Sequence, residues 1–333
     1  MQSQCLHTVY TPYLGSDGQD VTKSRRPTLL SSRLRLYSDS GGIMDEQIIQ
    51  KFWQENTCGD AQVGRLQVRF NGDYDKFFTD YDQFRYRNER HITACIDALN
   101  VADKQVLEIG LGEGSESELL IRQGAHWTGV DLTAESVQRV QTRLTVRELP
   151  FRDLRQGSVL DLPFAADTFD MVFSHGVLHH VPDIKQAQHE IHRVIRPGGE
   201  LIIMVYARWS LNYLVSIGLI RRTVLLGAFP LARAGILKSD SSGGTLAAHL
   251  SNAMKIGLFR YLRLSEFVHH NTDGPANPYA VVYDRRRVER DFPSFRVTRI
   301  YKRFMHAPPL SVHGLPGETI MGWHLWIHLV PRN

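Results

Sequence analysis

The chain has 333 residues, of which 42% are hydrophobic, 39 are basic and 35 are acidic, and its formal net charge is +4. This composition excludes the disordered and fibrous classes, and so small a charge excess, spread along the chain, argues against nucleic acid as a partner. The three cysteines are far apart and form neither a disulfide framework nor a zinc-ligand pattern, so we expect a reducing, cytoplasmic location.

The first 43 residues are rich in Ser, Gly and Arg and lack the apolar stretch of a signal peptide. We interpret residues 1–43 as a poorly ordered leader, with Met44 as an alternative start of the protein. A transit peptide is the less favoured interpretation, because Asp17, Asp20 and Asp39 lie within this basic stretch.

Residues 44–104 have a helical pattern with an aromatic cluster and predict an N-terminal helical cap. Phe77, Tyr81 and Phe84 share one face of a helix by their i, i+4, i+7 spacing. These side chains either only pack the cap onto the rest of the protein or belong to a helix that closes over a bound ligand.

Residues 105–206 alternate predicted strands with predicted helices. The predicted strands include 105–109, 126–131 and 200–205, and the predicted helices are 115–122, 135–147 and 184–194, with Thr133 as a helix cap. Because such strands are joined by right-handed crossovers, the pattern predicts a parallel sheet with helices on both faces.

The first of these strands leads into a glycine loop, and the second ends in a carboxylate. Gly110, Gly112 and Gly114 follow the strand that contains Glu108, and Asp131 closes the next strand. Glycines allow the backbone to approach a ligand closely, and a carboxylate at that position can accept hydrogen bonds from both ribose hydroxyls. This arrangement predicts a site for a cofactor that contains a nucleoside.

Residues 207–282 form a predicted helical insertion whose first part, 209–237, is unusually apolar. Arg221, Arg222 and Pro230 interrupt it, which argues against a transmembrane helix. We expect a lid over the substrate site, with Trp209 and Tyr213 touching the ligand. A membrane-surface helix and a dimer contact are the less favoured alternatives.

Residues 283–333 predict a C-terminal helix and two strands, at 295–306 and 321–330. A loop with three prolines and two glycines joins these strands, so we expect an antiparallel pair at one edge of the sheet. His324, on the last of these strands, is expected to be a packed or edge histidine and not a ligand.

Two classes of nucleoside cofactor are compatible with a glycine loop, and its spacing distinguishes them. A nicotinamide dinucleotide site requires G-x-G-x-x-G, whereas here Ser115 follows the third glycine and Glu108 precedes the loop. A carboxylate at that point repels a pyrophosphate but can help to hold a ligand that carries an ammonium group.

The pattern E-x-G-x-G-x-G at 108–114 resembles motif I of the class I S-adenosylmethionine-dependent methyltransferases. Three further stretches, GSVLDLPF at 157–164, TFDMVFSHGVLHHV at 168–181 and RVIRPGGELIIMVY at 193–206, are similar in order and spacing to the ubiquinone/menaquinone-biosynthesis-like (type 11) family. The resemblance covers residues 105–206. It implies an α/β fold with a Rossmann-like, doubly wound sheet of seven strands, mostly parallel with the last strand antiparallel, and S-adenosyl-L-methionine as methyl donor.

The resemblance also implies roles for individual residues. The glycines would line the methionine and ribose end, Asp131 would take the ribose hydroxyls and Leu132 would pack on adenine. Ser158 stands where the family often has an acid that meets the adenine amino group, so the backbone of Val159 and Leu160 would make that contact. The implied cofactor-binding residues are Glu108, Gly110, Gly112, Gly114, Asp131, Leu132, Ser158, Val159, Ser174 and His175, and Arg85 or Tyr86 would meet the methionine carboxylate.

A general base is the least determined part of the predicted site. His179 and His180 are candidates, because a histidine titrates near neutral pH, although such a pair can also only orient its loop. Asn277-Pro278-Tyr279 resembles the Asn-Pro-Pro-Tyr signature of amide methyltransferases by its letters only, and we expect a turn there, far outside the core. No cluster in the sequence predicts a metal site.

The sequence therefore predicts a methyltransferase that transfers a methyl group to an O, N or C atom of a small acceptor that is apolar or resembles a secondary metabolite. One alternative is a methyltransferase for a peptide or lipid at a membrane surface. Another is a Rossmann-like binding protein without catalysis, and a third, disfavoured by Ser115 and Glu108, is a nicotinamide oxidoreductase.

Overall fold

A seven-stranded sheet organises the residues that the computed structural model describes, which are 36–37, 43–44, 46–56, 73–237 and 244–332. The strands are β1 (Gln105–Ile109), β2 (His126–Asp131), β3 (Asp153–Gln156), β4 (Phe169–His175), β5 (Ile195–Tyr206), β6 (Phe295–Arg303) and β7 (His324–Pro331). Their order is β3-β2-β1-β4-β5-β7-β6. All neighbours are parallel except β7, which is antiparallel to both β5 and β6. This confirms the predicted Rossmann-like sheet, whose strand order reverses between β1 and β4, the place where such sheets bind ligands.

Twelve helices accompany the sheet in the described part of the chain. They are α1 (Glu46–Glu55), α2 (Tyr74–Asn88), α3 (His91–Asp97), α4 (Ser115–Arg122), α5 (Ala134–Val146), α6 (Ile184–Val194), α7 (Asn212–Arg233), α8 (Gly244–Ile256), α9 (Leu258–Tyr261), α10 (Leu264–Phe267), α11 (Arg285–Asp291) and α12 (Glu318–Met321). The bounds of α4 and α6 are those predicted, and α5 begins and ends one residue earlier than predicted. Local capping explains the starts of two helices, because Thr133 accepts a hydrogen bond from Ser136 N and Asp183 accepts one from Gln186 N.

The sheet differs from the prediction at two places. Strand β5 begins at Ile195 and not at residue 200, so that Pro197-Gly198-Gly199 lies within the strand at an irregular register. The final pair is shorter than predicted, because β6 ends at Arg303 and α12 occupies the residues before β7.

Two hydrophobic clusters cover the two faces of the sheet. In β5, Leu201 and Ile203 belong to the cluster that also contains Ile191 of α6, whereas Ile202 belongs to the cluster with Val140 of α5. Alternate side chains of a strand point to opposite faces, so this buried, apolar strand stabilises both layers at once.

The helical insertion packs around a third cluster. Ile217 and Leu225 of α7 lie fully buried with Leu250, Tyr261 and Phe267 from the helices that follow. The first ten residues of α7, Asn212–Arg221, are wound as a π-helix. By length and composition alone, α7 is a helix that could cross a membrane.

The N-terminal region agrees with the predicted cap in type but not in its buried face. In α2, Phe78 and Tyr81 are buried and Phe84 is 39% exposed, so the stripe predicted from Phe77, Tyr81 and Phe84 is displaced by one residue. The Arg143 guanidinium of α5 lies over the Phe78 ring, which fixes this rotation of α2. Of the predicted leader, the structure describes only a short antiparallel pairing of 36–37 with 43–44, and residues 1–35 lie outside the described residues.

Candidate functional site

A cavity of about 740 Å³ lies at the carboxyl ends of β1, β2 and β4. Helices α1 and α2 supply part of its wall, and the insertion and the segment between β6 and β7 supply the rest. The cavity therefore occupies the switch point of the sheet, with the glycine loop at one end.

The glycine loop has the backbone conformation that its sequence predicts. Gly110, Gly112 and Gly114 have φ of 79°, 53° and 77°, a region that side chains rarely adopt. Gly110 and Gly112 line the cavity, and a side chain on Gly110 would collide with Val177. Gly114 instead begins α4 and packs against Val140. The loop thus leaves space for a ligand, and this space exists because glycine has no side chain.

Asp131 joins the end of β2 to this loop and lines the cavity. Its Oδ2 accepts a hydrogen bond from Leu111 N at 2.7 Å, and its Oδ1 accepts from Thr133 N and Thr133 Oγ1, each at 2.8 Å. Burial raises the pKa of the Asp131 carboxyl, and these donors oppose that rise. The carboxylate braces the loop and keeps lone pairs for two hydroxyls of a ligand.

Glu108 is a second buried carboxyl in the cavity wall. Its Oε2 accepts a hydrogen bond from Trp127 Nε1 at 2.7 Å, and burial raises the pKa of Glu108 to about 8. The group therefore holds a proton near neutral pH, and a cationic ligand group would favour its charged form.

The far side of the glycine loop is apolar with one acid. Leu132 and Val159 line the cavity there. Ser158 accepts from Leu160 N at 3.0 Å and donates to Glu46 of α1, which itself lines the cavity. Glu46 was not predicted from the sequence as a residue of the site. It stands beside the position where the resemblance places an acid, but it comes from a helix more than a hundred residues earlier in the chain, and no local pattern marks it.

The end of β4 places its two predicted residues differently. His175 lines the cavity, and burial lowers its pKa to about 4. Ser174 is buried within the sheet and donates to Ile109 O at 3.0 Å. Arg85 also lines the cavity, where it forms an ion pair of 2.6 Å with Glu116.

The opposite end of the cavity is lined by imidazole and aromatic rings. His306, His313 and Phe304 come from the segment after β6, and His324 comes from β7. Burial lowers the pKa of His306 to about 4 and the pKa of His324 well below its ordinary value. His324 is packed as predicted, with its Nδ1 2.9 Å from His91 Nε2. The lowered pKa values keep His306 and His324 neutral near pH 7, so this end suits an uncharged ligand with aromatic or apolar surface.

His180 lines the cavity and faces a carboxylate that the sequence did not identify. Its Nδ1 lies 2.7 Å from Tyr279 O and its Nε2 lies 3.2 Å from Asp273 Oδ2. Tyr206 donates to the other oxygen of Asp273 at 2.7 Å. Since a carbonyl can only accept, Nδ1 donates its hydrogen to Tyr279 O, and Nε2 is left facing the Asp273 carboxylate.

His179 lies buried behind His180. Its ring centroid is 4.1 Å from that of His180 and 4.0 Å from that of Tyr206. His179, His180 and Asp273 each offer a donor atom, and these atoms lie within 4.8 Å of one another. The fold therefore assembles a carboxylate and two imidazoles, a donor set that suits a divalent cation, from residues whose sequence spacing predicted no metal site.

The structure corrects the interpretation of Asn277-Pro278-Tyr279. Asn277 and Tyr279 are buried, and Tyr279 O contacts His180. The chain that follows pairs with the end of β5, where Tyr283 N donates to Tyr206 O at 2.8 Å. This pairing brings the end of the insertion into the site, which a local pattern cannot show.

The insertion contributes to the cavity by a different part from the one predicted. Among the described residues of the insertion, only Thr272, Asp273 and Gly274 line it. Trp209 is 53% exposed, and Tyr213 packs on the third hydrophobic cluster. The expectation that Trp209 and Tyr213 contact the ligand is therefore wrong, and Thr272, Asp273 and Gly274 take their place in the cavity wall. The reason is that the inner face of α7 packs against the other helices of the insertion.

Comparisons with known proteins place the core of this site in one family. Residues 107–203 match the family model described as a methyltransferase domain. A ubiquinone biosynthesis O-methyltransferase of Erwinia tasmaniensis is 31% identical over 114 residues, which are 34% of this chain and 47% of that protein.

Two mycobacterial relatives match the same region. An uncharacterized methyltransferase of Mycobacterium bovis is 33% identical over 124 residues, which are 37% of this chain and 61% of that protein. A phthiotriol/phenolphthiotriol dimycocerosates methyltransferase of Mycobacterium leprae is 32% identical over 105 residues, which are 31% of this chain and 38% of that protein. The chain thus spans about half the length of the relatives that it matches.

Proposed function

We propose that this chain, whose residues 107–203 form a class I methyltransferase domain of the type 11 family, is an S-adenosylmethionine-dependent methyltransferase for an uncharged small-molecule acceptor. The observation that carries the proposal is one cavity with two chemically different ends. The glycine loop, Asp131 and Glu108 lie at one end, and imidazole and aromatic rings, among them the neutral His306 and His324, lie at the other. The relatives named for ubiquinone biosynthesis and for phthiotriol substrates support a small, largely apolar acceptor.

The first end fits the cofactor residue by residue. Asp131 would accept hydrogen bonds from the ribose hydroxyls, Leu132 would pack on adenine and Glu46 would meet its amino group. Glu108 and Arg85 would bind the ammonium and carboxylate of the methionine part. When bound, S-adenosylmethionine supplies an electrophilic methyl group on sulfur, and the protein's part is to align the acceptor with it.

Calorimetric titration tests the cofactor class. We expect S-adenosylhomocysteine to bind the full chain with one site, and NADH not to bind. Gly110→Leu should abolish the binding, because its side chain would fill the space beside Val177. Gly198→Leu is the matched control, since that glycine also has a positive φ but has open space around it and lies outside the cavity. Binding of NADH, or none of S-adenosylhomocysteine, would contradict the proposal.

We further propose that His180 and Asp273 together accept the proton that the acceptor loses. With Nδ1–H held by Tyr279 O, His180 Nε2 and Asp273 Oδ2 lie 3.2 Å apart, where one proton between them is stabilised by both groups. Tyr206 keeps the carboxylate in place. His179, which lies behind this pair, would position the His180 ring.

The test compares Asp273→Asn with the unaltered protein. Radiolabelled S-adenosylmethionine is incubated with a solvent extract of the native cells as the source of acceptor, and labelled product is extracted. We expect transfer to fall by a factor of about 10² to 10⁴, with the affinity for S-adenosylhomocysteine within about twofold. Asp161→Asn, an exposed acid of the loop after β3, is the control.

A chelator separates proton transfer from metal binding at the same three residues. If EDTA leaves transfer unchanged, the pair acts on a proton. If transfer is lost and divalent manganese, magnesium or zinc restores it, His179, His180 and Asp273 hold a cation, and the proposal for the base is wrong.

A further inference from the structure

The outer side of the insertion carries several large apolar side chains that are exposed to solvent. Leu219 is 61% exposed, Ile236 is 69% exposed and Phe259 is 83% exposed. Leu226, Leu231 and Met254 on the same helices are at least 40% exposed. We call these six residues the apolar face; five lie on α7, α8 and α9, and Ile236 lies in the turn that follows α7. Large exposed apolar side chains on helices that pack together mark an interaction site.

Basic residues predominate in the part of the sequence that contains the apolar face. From residue 207 to residue 265 the sequence contains eight basic residues and a single acidic one, Asp240. Lys255 and Arg260 are exposed directly beside Met254 and Phe259, and Arg233 is exposed near Leu231. Basic side chains interleaved with large apolar ones are the pattern of helices that lie in the headgroup region of an anionic bilayer.

Helix α7 is bound to the domain along its inner side, which fits a helix that lies on a membrane and does not cross it. Ile217 and Leu225 are buried against the other insertion helices. Arg221, near the middle of the helix, donates to Asn271 O at 2.9 Å and points inward. Crossing a bilayer would break these contacts, whereas docking on its surface uses only the side that is exposed.

The apolar face is also linked to the acceptor end of the cavity. Ser216 and Arg221 of α7 both donate to Pro308 O. This carbonyl belongs to the segment that carries His306 and His313 of the cavity wall, and the same segment exposes Leu310 and Leu315. One short segment therefore joins the docked helices to the wall that would receive an apolar acceptor.

We propose that the apolar face of α7, α8 and α9 docks this protein on an anionic lipid bilayer. The proposal concerns binding alone and is tested without methyl transfer, so its failure is separate from failure of the proposed function. Arg221, which donates to Asn271 O and Pro308 O, is not part of the contact, and Arg233, Lys255 and Arg260 supply the positive charge.

The experiment is sedimentation of the full chain with vesicles of phosphatidylcholine alone or with about 30% phosphatidylglycerol. We expect binding to the anionic vesicles at low ionic strength, a decrease of at least about tenfold in the partition coefficient between about 0.02 M and 0.3 M salt, and little binding to neutral vesicles. Equal binding to both vesicle types, or no binding at low salt, would overturn the proposal.

Matched variants locate the contact. Phe259→Ser combined with Ile236→Ser should lower partitioning about tenfold or more, and Lys255→Glu combined with Arg260→Glu should remove the preference for anionic lipid. Val146→Ser and Arg296→Glu change exposed residues outside the apolar face, and they should leave the partitioning and the preference for anionic lipid unchanged. All variants must retain the melting temperature and the affinity for S-adenosylhomocysteine.

The competing occupant is a second copy of this chain. Light scattering that shows a dimer in solution, converted to a monomer by the double serine variant, would assign the apolar face to self-association and reject the bilayer. If the control variants lose as much vesicle binding as the double variants, the contact does not lie on the apolar face.

Discussion

Two buried carboxyl groups at neighbouring strand ends have different hydrogen-bond donors, although burial raises the pKa of both. Asp131 accepts from two backbone amides and a hydroxyl, all within 2.8 Å. Glu108 accepts from the indole of Trp127 and lies deeper, with 1% of its surface exposed. Donors stabilise a charged carboxylate and burial destabilises it, so we assign the ribose to Asp131 and a protonated resting form to Glu108.

Replacement of Asp131 tests the first assignment. Asp131→Ala should weaken the affinity for S-adenosylmethionine by about tenfold to a hundredfold, or roughly 1.5–3 kcal/mol, because two ribose hydroxyls lose their acceptor. Calorimetry measures the affinity, and circular dichroism checks that the variant is folded. Asp161→Ala is the exposed control, and an unchanged affinity in Asp131→Ala would remove this residue from the site.

The pH dependence of stability tests Glu108. Its pKa is raised from 4.5 to about 8 on folding, so the folded state retains a proton that the unfolded state releases. Stability from this group is complete below pH 4.5 and is lost as the pH rises to about 8. Glu108→Gln cannot titrate, so its melting temperature should rise relative to the unaltered protein from pH 5 to pH 8. Parallel melting curves across that window would contradict the raised pKa.

At the scale of elements, the N-terminal helices form part of the site as well as covering it. Glu46, Ile49 and Trp53 of α1 line the cavity, and Gln50 Nε2 donates to Leu132 O at 2.9 Å. Tyr81, Phe84 and Arg85 of α2 complete this wall. The helices are bound to the strand ends by contacts between residues far apart in the chain, so their loss should affect the cofactor end directly.

A pair of truncations tests this role. A protein that begins at Met44 retains α1 and should keep the melting temperature and the affinity for S-adenosylhomocysteine of the full chain. A protein that begins at Thr57 lacks α1 and should bind at least about tenfold more weakly, since it loses the acid and the apolar wall near adenine. Equal affinities of the two truncated proteins would show that α1 does not contribute, and weaker binding by the Met44 protein would give the leader a part in the fold.

At the scale of the whole molecule, one cavity collects side chains from every region of the described chain. The cap, the central strands, the end of the insertion and the segment before β7 all contribute to it. A ligand that contacts all these regions binds only when they are assembled. Binding energy is then expressed as stability of the folded state.

Thermal unfolding with ligand measures this coupling. S-adenosylhomocysteine at about 100 times its dissociation constant should stabilise the folded state by about 2.7 kcal/mol, and the melting temperature should rise with the logarithm of its concentration. The same concentration should give a smaller rise in Asp131→Ala, and NADH should give none. A melting temperature that does not respond to the ligand would place its binding outside the assembled cavity.

The sequence by itself determined what depends on neighbouring residues. Hydrophobic periodicity and capping residues located α4, α5 and α6 to within one residue, and the glycines with Asp131 marked the end of the cavity that we propose for the cofactor, because backbone conformation and strand ends are local properties. The alternation of strands with helices was enough for a parallel, doubly wound sheet, since crossover handedness leaves few other topologies.

Only the tertiary structure brought Glu46, Asp273 and Tyr279 to the cavity. Each comes from an element far from the glycine loop in the chain, and the contacts that place them, with Ser158, Tyr206 and His180, have no periodic signature. The tertiary structure also decided which side of α7 is buried. An apolar helix can bury either side, and its partners on α8 to α10 fixed the choice, which left the opposite side exposed.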